Sequence, residues 1–89
     1  MAELMYQYPD PVVAPEGVAY VAQAWAEHDG RWHGWLVFIA ADGRILRTPR
    51  ETTQRSRDAM LVWAMGLRPV YLDGALSRAI PPSAELPAA

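Results

Sequence analysis

Residues 59–67 read Ala59-Met60-Leu61-Val62-Trp63-Ala64-Met65-Gly66-Leu67, the longest uninterrupted apolar run in the chain, and whether they form a helix or a strand decides the architecture. Nine residues fall far short of the roughly 20 that cross a bilayer. Ala, Met and Leu favour a helix, and Gly66 supplies a left-handed stop before Arg68-Pro69. The expected helix runs over about 54–66. On a wheel of 100° per residue, Ala59, Val62, Trp63 and Gly66 share one face, while Leu61 and Met65 lie well away from it. Such a helix is apolar nearly all round, and one sheet covers only one side. A second body must therefore cover Leu61 and Met65.

The following segment can supply it. Leu72, Ala75, Leu76, Ala79 and Ile80 recur at helical spacing, with Pro69 near the start and Arg78 near the end, where it complements the dipole. A second short helix is expected over about 69–80. Gly74 inside it costs about 1 kcal/mol against alanine, so a break there is the alternative.

Upstream, the pattern changes to that of strands. Residues 18–27 alternate, with Val21, Gln23, Trp25 and Glu27 on one side and Tyr20, Ala22, Ala24 and Ala26 on the other. His28-Asp29-Gly30-Arg31 is a turn signal, and Trp32 to Ala40 is rich in aromatic and β-branched residues. A second Asp-Gly pair, Asp42-Gly43, leads into a third strand over 44–48. The fold class expected is α+β: a three-stranded antiparallel meander (18–27, 32–40 and 44–48) followed by the two helices. Residues 9–17, with three prolines and a glycine, lack donors and have fixed φ, so 1–17 is expected to be an extended lead-in. Tyr6 and Tyr8 can pin an edge. The single domain then spans 18–80, and 81–89 is expected to be a disordered tail.

Composition bounds the rest. A chain of 89 residues is one domain at most and buries only about 60 per cent of its unfolded surface. A hydrophobic fraction of 52%, with four tryptophans and four tyrosines, argues for a packed core rather than disorder. There is no cysteine, hence no disulfide framework and no thiolate metal site. Neither a basic leader nor a secretory apolar run opens the sequence, and a cytoplasmic location without membrane association is expected.

Five arginines and one carboxylate fall within residues 44–57 of a chain whose net charge is −2. Arg44 and Arg47 on the third strand, with Arg50, Arg55 and Arg57 after it, can line one edge and suit phosphate or carboxylate. The plainer reading is that alternate arginines solvate an edge strand, with Arg55 or Arg57 paired to Glu51 or Asp58. Thr52, Thr53, Gln54 and Ser56 can cap the helix, or join Arg47 or Arg50 in an anion site at its N-terminus. Arg47, Arg50, Thr53, Gln54, Arg55 and Arg57 are thus the candidate anion- or partner-binding residues. Trp32 and Trp35 point to opposite faces of one strand, so at least one is a candidate exposed aromatic contact.

The string Arg50-Glu51-Thr52-Thr53-Gln54, followed by Trp63-Ala64, Gly66-Leu67, Pro69-Val70-Tyr71-Leu72 and Gly74-Ala75-Leu76, resembles a family of small uncharacterised bacterial proteins. The resemblance covers about half the chain, implies a bacterial source and carries no activity to transfer.

Catalysis finds no foothold in the sequence. His28 and His33 flank a turn and lack the third and fourth ligands a metal needs. There is no nucleophile elbow and no glycine-rich phosphate loop. No cofactor and no enzymatic activity are expected. Two readings remain: a non-enzymatic interaction module that binds a protein partner or a second copy of itself, and an anion or nucleic-acid binder acting through residues 44–57.

Overall fold

The computed structural model describes residues 1–82. Of the tail expected over 81–89, residues 83–89 lie outside the described residues. The Asp29-Gly30 turn works as its sequence demands: strands Ala19–Asp29 and Arg31–Ala40 pair antiparallel from Tyr20 opposite Ala40 to Asp29 opposite Arg31. Gly30 sits at the tip with φ +73°, a backbone state that costs glycine nothing.

This hairpin is the centre of a six-stranded antiparallel sheet, not of a three-stranded meander. In chain order the strands are β1 (Ala2–Gln7), β2 (Val12–Val13), β3 (Ala19–Asp29), β4 (Arg31–Ala40), β5 (Ile45–Arg47) and β6 (Thr52–Gln54). β1 and β2 together flank β3, and β5 and β6 together flank β4. The α+β class stands; the strand count does not. Each extra strand was hidden for a physical reason.

In β1 the pairing slips between Leu4 and Tyr6. A bulge of this kind breaks the two-residue period, so Leu4 and Tyr6 face opposite sides of the sheet although they are two apart in sequence. β2 is bounded by Pro11 and Pro15, which a central strand would not tolerate but an edge does. β6 uses the threonines that make a poor helix start: Thr52 and Thr53 lie opposite Gly34 and His33. The helix that was expected from 54 therefore begins later. It is α1, Arg57–Gly66, with Ser56 as cap, whose Oγ accepts from the Ala59 N–H at 3.0 Å.

α2 spans Pro69–Arg78 rather than 69–80. Ala79 turns extended, and Ile80 pairs with Arg47 as a bridge at the β5 edge. Both helices lie on the same side of the sheet, but they tile it rather than stack: α1 packs on β1, β4 and β6, and α2 on β2. The inward face of α1 is Met60 and Ala64, both fully buried, with Leu61, Trp63 and Leu67 partly buried against the core. Val62 and Met65 point to solvent, 73% and 60% exposed. The expected face through Ala59, Val62 and Gly66 is thus rotated by part of a turn, and Met65 needs no second cover.

Small residues on the sheet explain how closely α1 docks. Ala22, Ala24 and Ala26 are fully buried, and Gly34 lies opposite Ala26. A Cβ built on Gly34 would meet Met60 Sδ at 2.7 Å and Thr52 Cγ2 at 3.0 Å, so the missing side chain is the seat of Met60. Leu36 and Phe38 fill the rest of that face. At the end of β5, Thr48 is buried: its N–H donates to the Leu36 carbonyl and its Oγ1 accepts from the Leu36 N–H, both at 3.0 Å. Tyr8 closes the other edge, donating from its hydroxyl to the Ala64 carbonyl at 2.5 Å. Burial pushes the pKa of this phenol well above its ordinary value. Among the described residues, no helix is long and apolar enough to cross a membrane.

Candidate functional site

The two helices cover one side of the sheet, and no described element covers the other. On that open side β3 shows Val21, Gln23, Trp25 and Glu27, and β4 shows His33, Trp35, Val37 and Ile39, as their registers require. Leu4, Val13, Ile45 and Arg47 join them from the flanking strands. Leu4, Val13, Val21 and Ile45 are 41% to 55% exposed. Scattered apolar side chains are normal on a surface, but here Val13, Val21, Ile39 and Ile45 share one face on four neighbouring strands.

A chain of side-chain hydrogen bonds crosses part of this face. Trp25 Nε1 donates to Gln23 Oε1 at 2.9 Å, and Gln23 Nε2 donates to Gln7 Oε1 at 2.8 Å. Arg47 lays its guanidinium over the Trp35 ring, with Cζ 4.2 Å from the centroid. The Trp25 and Gln23 donors, engaged at home, lose little when water is removed from around them.

The arginine segment does not form one site. Arg44 pairs with Asp42 at 2.9 Å in the Asp42-Gly43 turn, and Arg57 is held by Glu3 of β1. That pairing lowers the Glu3 pKa, chiefly through the hydrogen bond from Arg57. Arg47 and Arg50 do meet, lining a hollow of about 260 Å³ with Glu27, Asp29, His33 and Trp35. Two carboxylates face the two guanidinium groups there, so the hollow is of mixed sign. Arg55 is exposed. Gln54 belongs to the helix-covered side, where its Nε2 donates to Thr52 Oγ1 at 2.7 Å. Thr53 faces the open side, its Oγ1 3.3 Å from His33 Nδ1.

The two candidate tryptophans part as their spacing requires. Trp35 is on the open side but only 7% exposed, because Arg47 roofs it. Trp32 is on the helix side, half-buried, and stacks on His28 with centroids 5.0 Å apart. His28 and His33 thus belong to opposite faces of the hairpin. The aliphatic row Val21, Ile39 and Ile45 was the feature missed. Its signal was the odd-numbered alternation of both long strands, once one face had been given to the helices.

Glu51 is engaged within the chain. Its Oε1 accepts from the Tyr71 hydroxyl at 2.5 Å and from Arg78 Nη2 at 2.6 Å, tying the segment before β6 to α2. Burial first, and then the hydrogen bond to Glu51, push the Tyr71 phenol up to about 12. Comparison of the chain with protein-family models, with curated proteins and with solved structures finds no match, so the resemblance carried by the Glu51 and Tyr71 strings stands as an expectation.

Proposed function

We propose that this chain is a non-enzymatic interaction module whose open sheet face docks a second copy of itself. The observation that carries the reading is the uncovered row Leu4, Val13, Val21 and Ile45 beside the roofed Trp35. Two such faces pack about 10 Å apart with their strands within about 30° of alignment, as in a sandwich.

Area and charge both favour a like partner. The molecule measures 38 × 37 × 18 Å, and a broad face of those dimensions is ample for the roughly 800 Å² that each partner of a stable pair contributes. Glu27 and Asp29 share one rim with Arg47 and Arg50. An identical face offers both signs in return, as an isologous contact requires, whereas a uniformly charged polyanion meets two carboxylates. Recognition of an anion or nucleic acid through residues 44–57 has less support for that reason, and because Arg44 and Arg57 are already paired.

Sedimentation equilibrium tests the proposal. The expected species has twice the 9.9 kDa chain mass. Val21→Glu with Ile39→Glu should return it to a folded monomer, and Val62→Glu on the exposed flank of α1 should leave it paired. A wild-type monomer at about 1 mM, where a contact worth only about 4 kcal/mol is half formed, overturns it.

A further inference from the structure

On the opposite, helix-bearing side, a second hollow of about 210 Å³ lies between the Tyr8–Val12 connection and the junction of α1 with α2. Much of its lining is apolar: Leu67, Leu72 and three prolines border it, and the rings of Tyr6 and Tyr8 meet at 77° with centroids 4.9 Å apart, making an aromatic corner. Asp10 and Asp73 also line it. Neither carboxylate has an ion-pair partner among the described residues, and no lysine, arginine or histidine is in the lining.

The corner is also held in place. Tyr8 is anchored at both ends, its N–H donating to the Ala22 carbonyl at 3.0 Å and its hydroxyl to Ala64. Pro9 and Pro11 fix the backbone on either side of Asp10, so little ordering remains to oppose binding. Apolar walls reject a strongly hydrated ion. Two unopposed carboxylates reject an anion, and aromatic faces attract positive charge spread over carbon.

We propose that this hollow binds an alkylated ammonium group, a cation with an apolar periphery, delivered either as a free quaternary amine or as a methylated lysine side chain. The site is on the side of the sheet away from the open face, so it stands or falls independently of the pairing proposed above.

The test is an amide-shift titration of the full chain with three probes: choline, a short peptide containing trimethyl-lysine, and the neutral isostere of choline in which carbon replaces the nitrogen. Choline and the peptide should give saturable shifts at Tyr6, Tyr8 and Leu72, and the isostere should not. The tighter of the two cations identifies the source, and either one supports the proposal. Asp10→Asn and Asp73→Asn should each weaken binding by about fivefold, with the spectrum otherwise retained. Tyr6→Leu should abolish it. No saturable shift with either cation overturns the proposal, as does equal binding of the isostere or unchanged affinity in the doubly substituted Asn variant.

Discussion

The two sides of one sheet follow different rules. Under the helices, β3 presents alanines and β4 presents Gly34, Leu36 and Phe38, and nearly every side chain is sealed from water. On the open side the same strands present Val21, Trp25, Val37 and Ile39, larger on β3 and only partly covered. Small residues admit a helix at close range; large ones reach outward for something farther off. On β3, side-chain size more than hydrophobicity separates the face closed by the helices from the face they leave open.

The contrast breaks first at Phe38. Phe38→Ala should lower monomer stability by about 3–5 kcal/mol, read from denaturant midpoints, whereas Val21→Ala on the open side should change it by no more than about 0.5 kcal/mol. Comparable losses at both positions would mean that the open face is core in the isolated chain. Gly34→Ala sharpens the point. Its new methyl meets the Met60 sulfur, and a cost of about 1–3 kcal/mol is expected, with Gly34→Ala/Met60→Ala partly relieved in a double-mutant cycle.

The smallest effect concerns the clasp outside both faces. Tyr71→Phe should cost about 1 kcal/mol at neutral pH by leaving Glu51 with one fewer donor. Because folding raises the Tyr71 phenol from 10.0 to about 12, its contribution is present below pH 10 and is lost as pH rises through 12. The variant should therefore lack that alkaline loss of stability. At the acid end the sign reverses: Glu3 and Asp42, held low by Arg57 and Arg44, contribute stability above their ordinary pKa values that disappears as those carboxylates protonate.

Much of this was legible in the residues, because local signals agreed with the fold. The Asp-Gly turn, the alternating strand around Ala22 to Ala26 and the helical state of residues 59–66 needed no knowledge of distant partners. Strands β1, β2 and β6 were not legible, since each exists only through what it pairs with. A bulge hid the alternation at Leu4 and Tyr6, prolines hid Val12–Val13, and the threonines of β6 served equally well as a cap. The rotation of α1 was invisible for a related reason: a helix apolar all round does not announce which flank it buries, and Gly34, not the helix, chose Met60. For the arginines, sequence showed concentration but not direction. Arg57 finds its carboxylate, Glu3, at the far end of the sequence, and Arg47 and Arg50 share their hollow with Glu27 and Asp29 of the hairpin.

The bond from the Tyr8 hydroxyl to Ala64 joins positions separated by 56 residues. During synthesis the first strand leaves the ribosome long before the helix that latches it, and it can pair with β3 only provisionally until Ala64 arrives. Distant contacts of this kind slow the search for the native state but lock its parts together once found. The amino-terminal edge and the first helix should consequently open and close as one unit, and pulling on either end would undo the other.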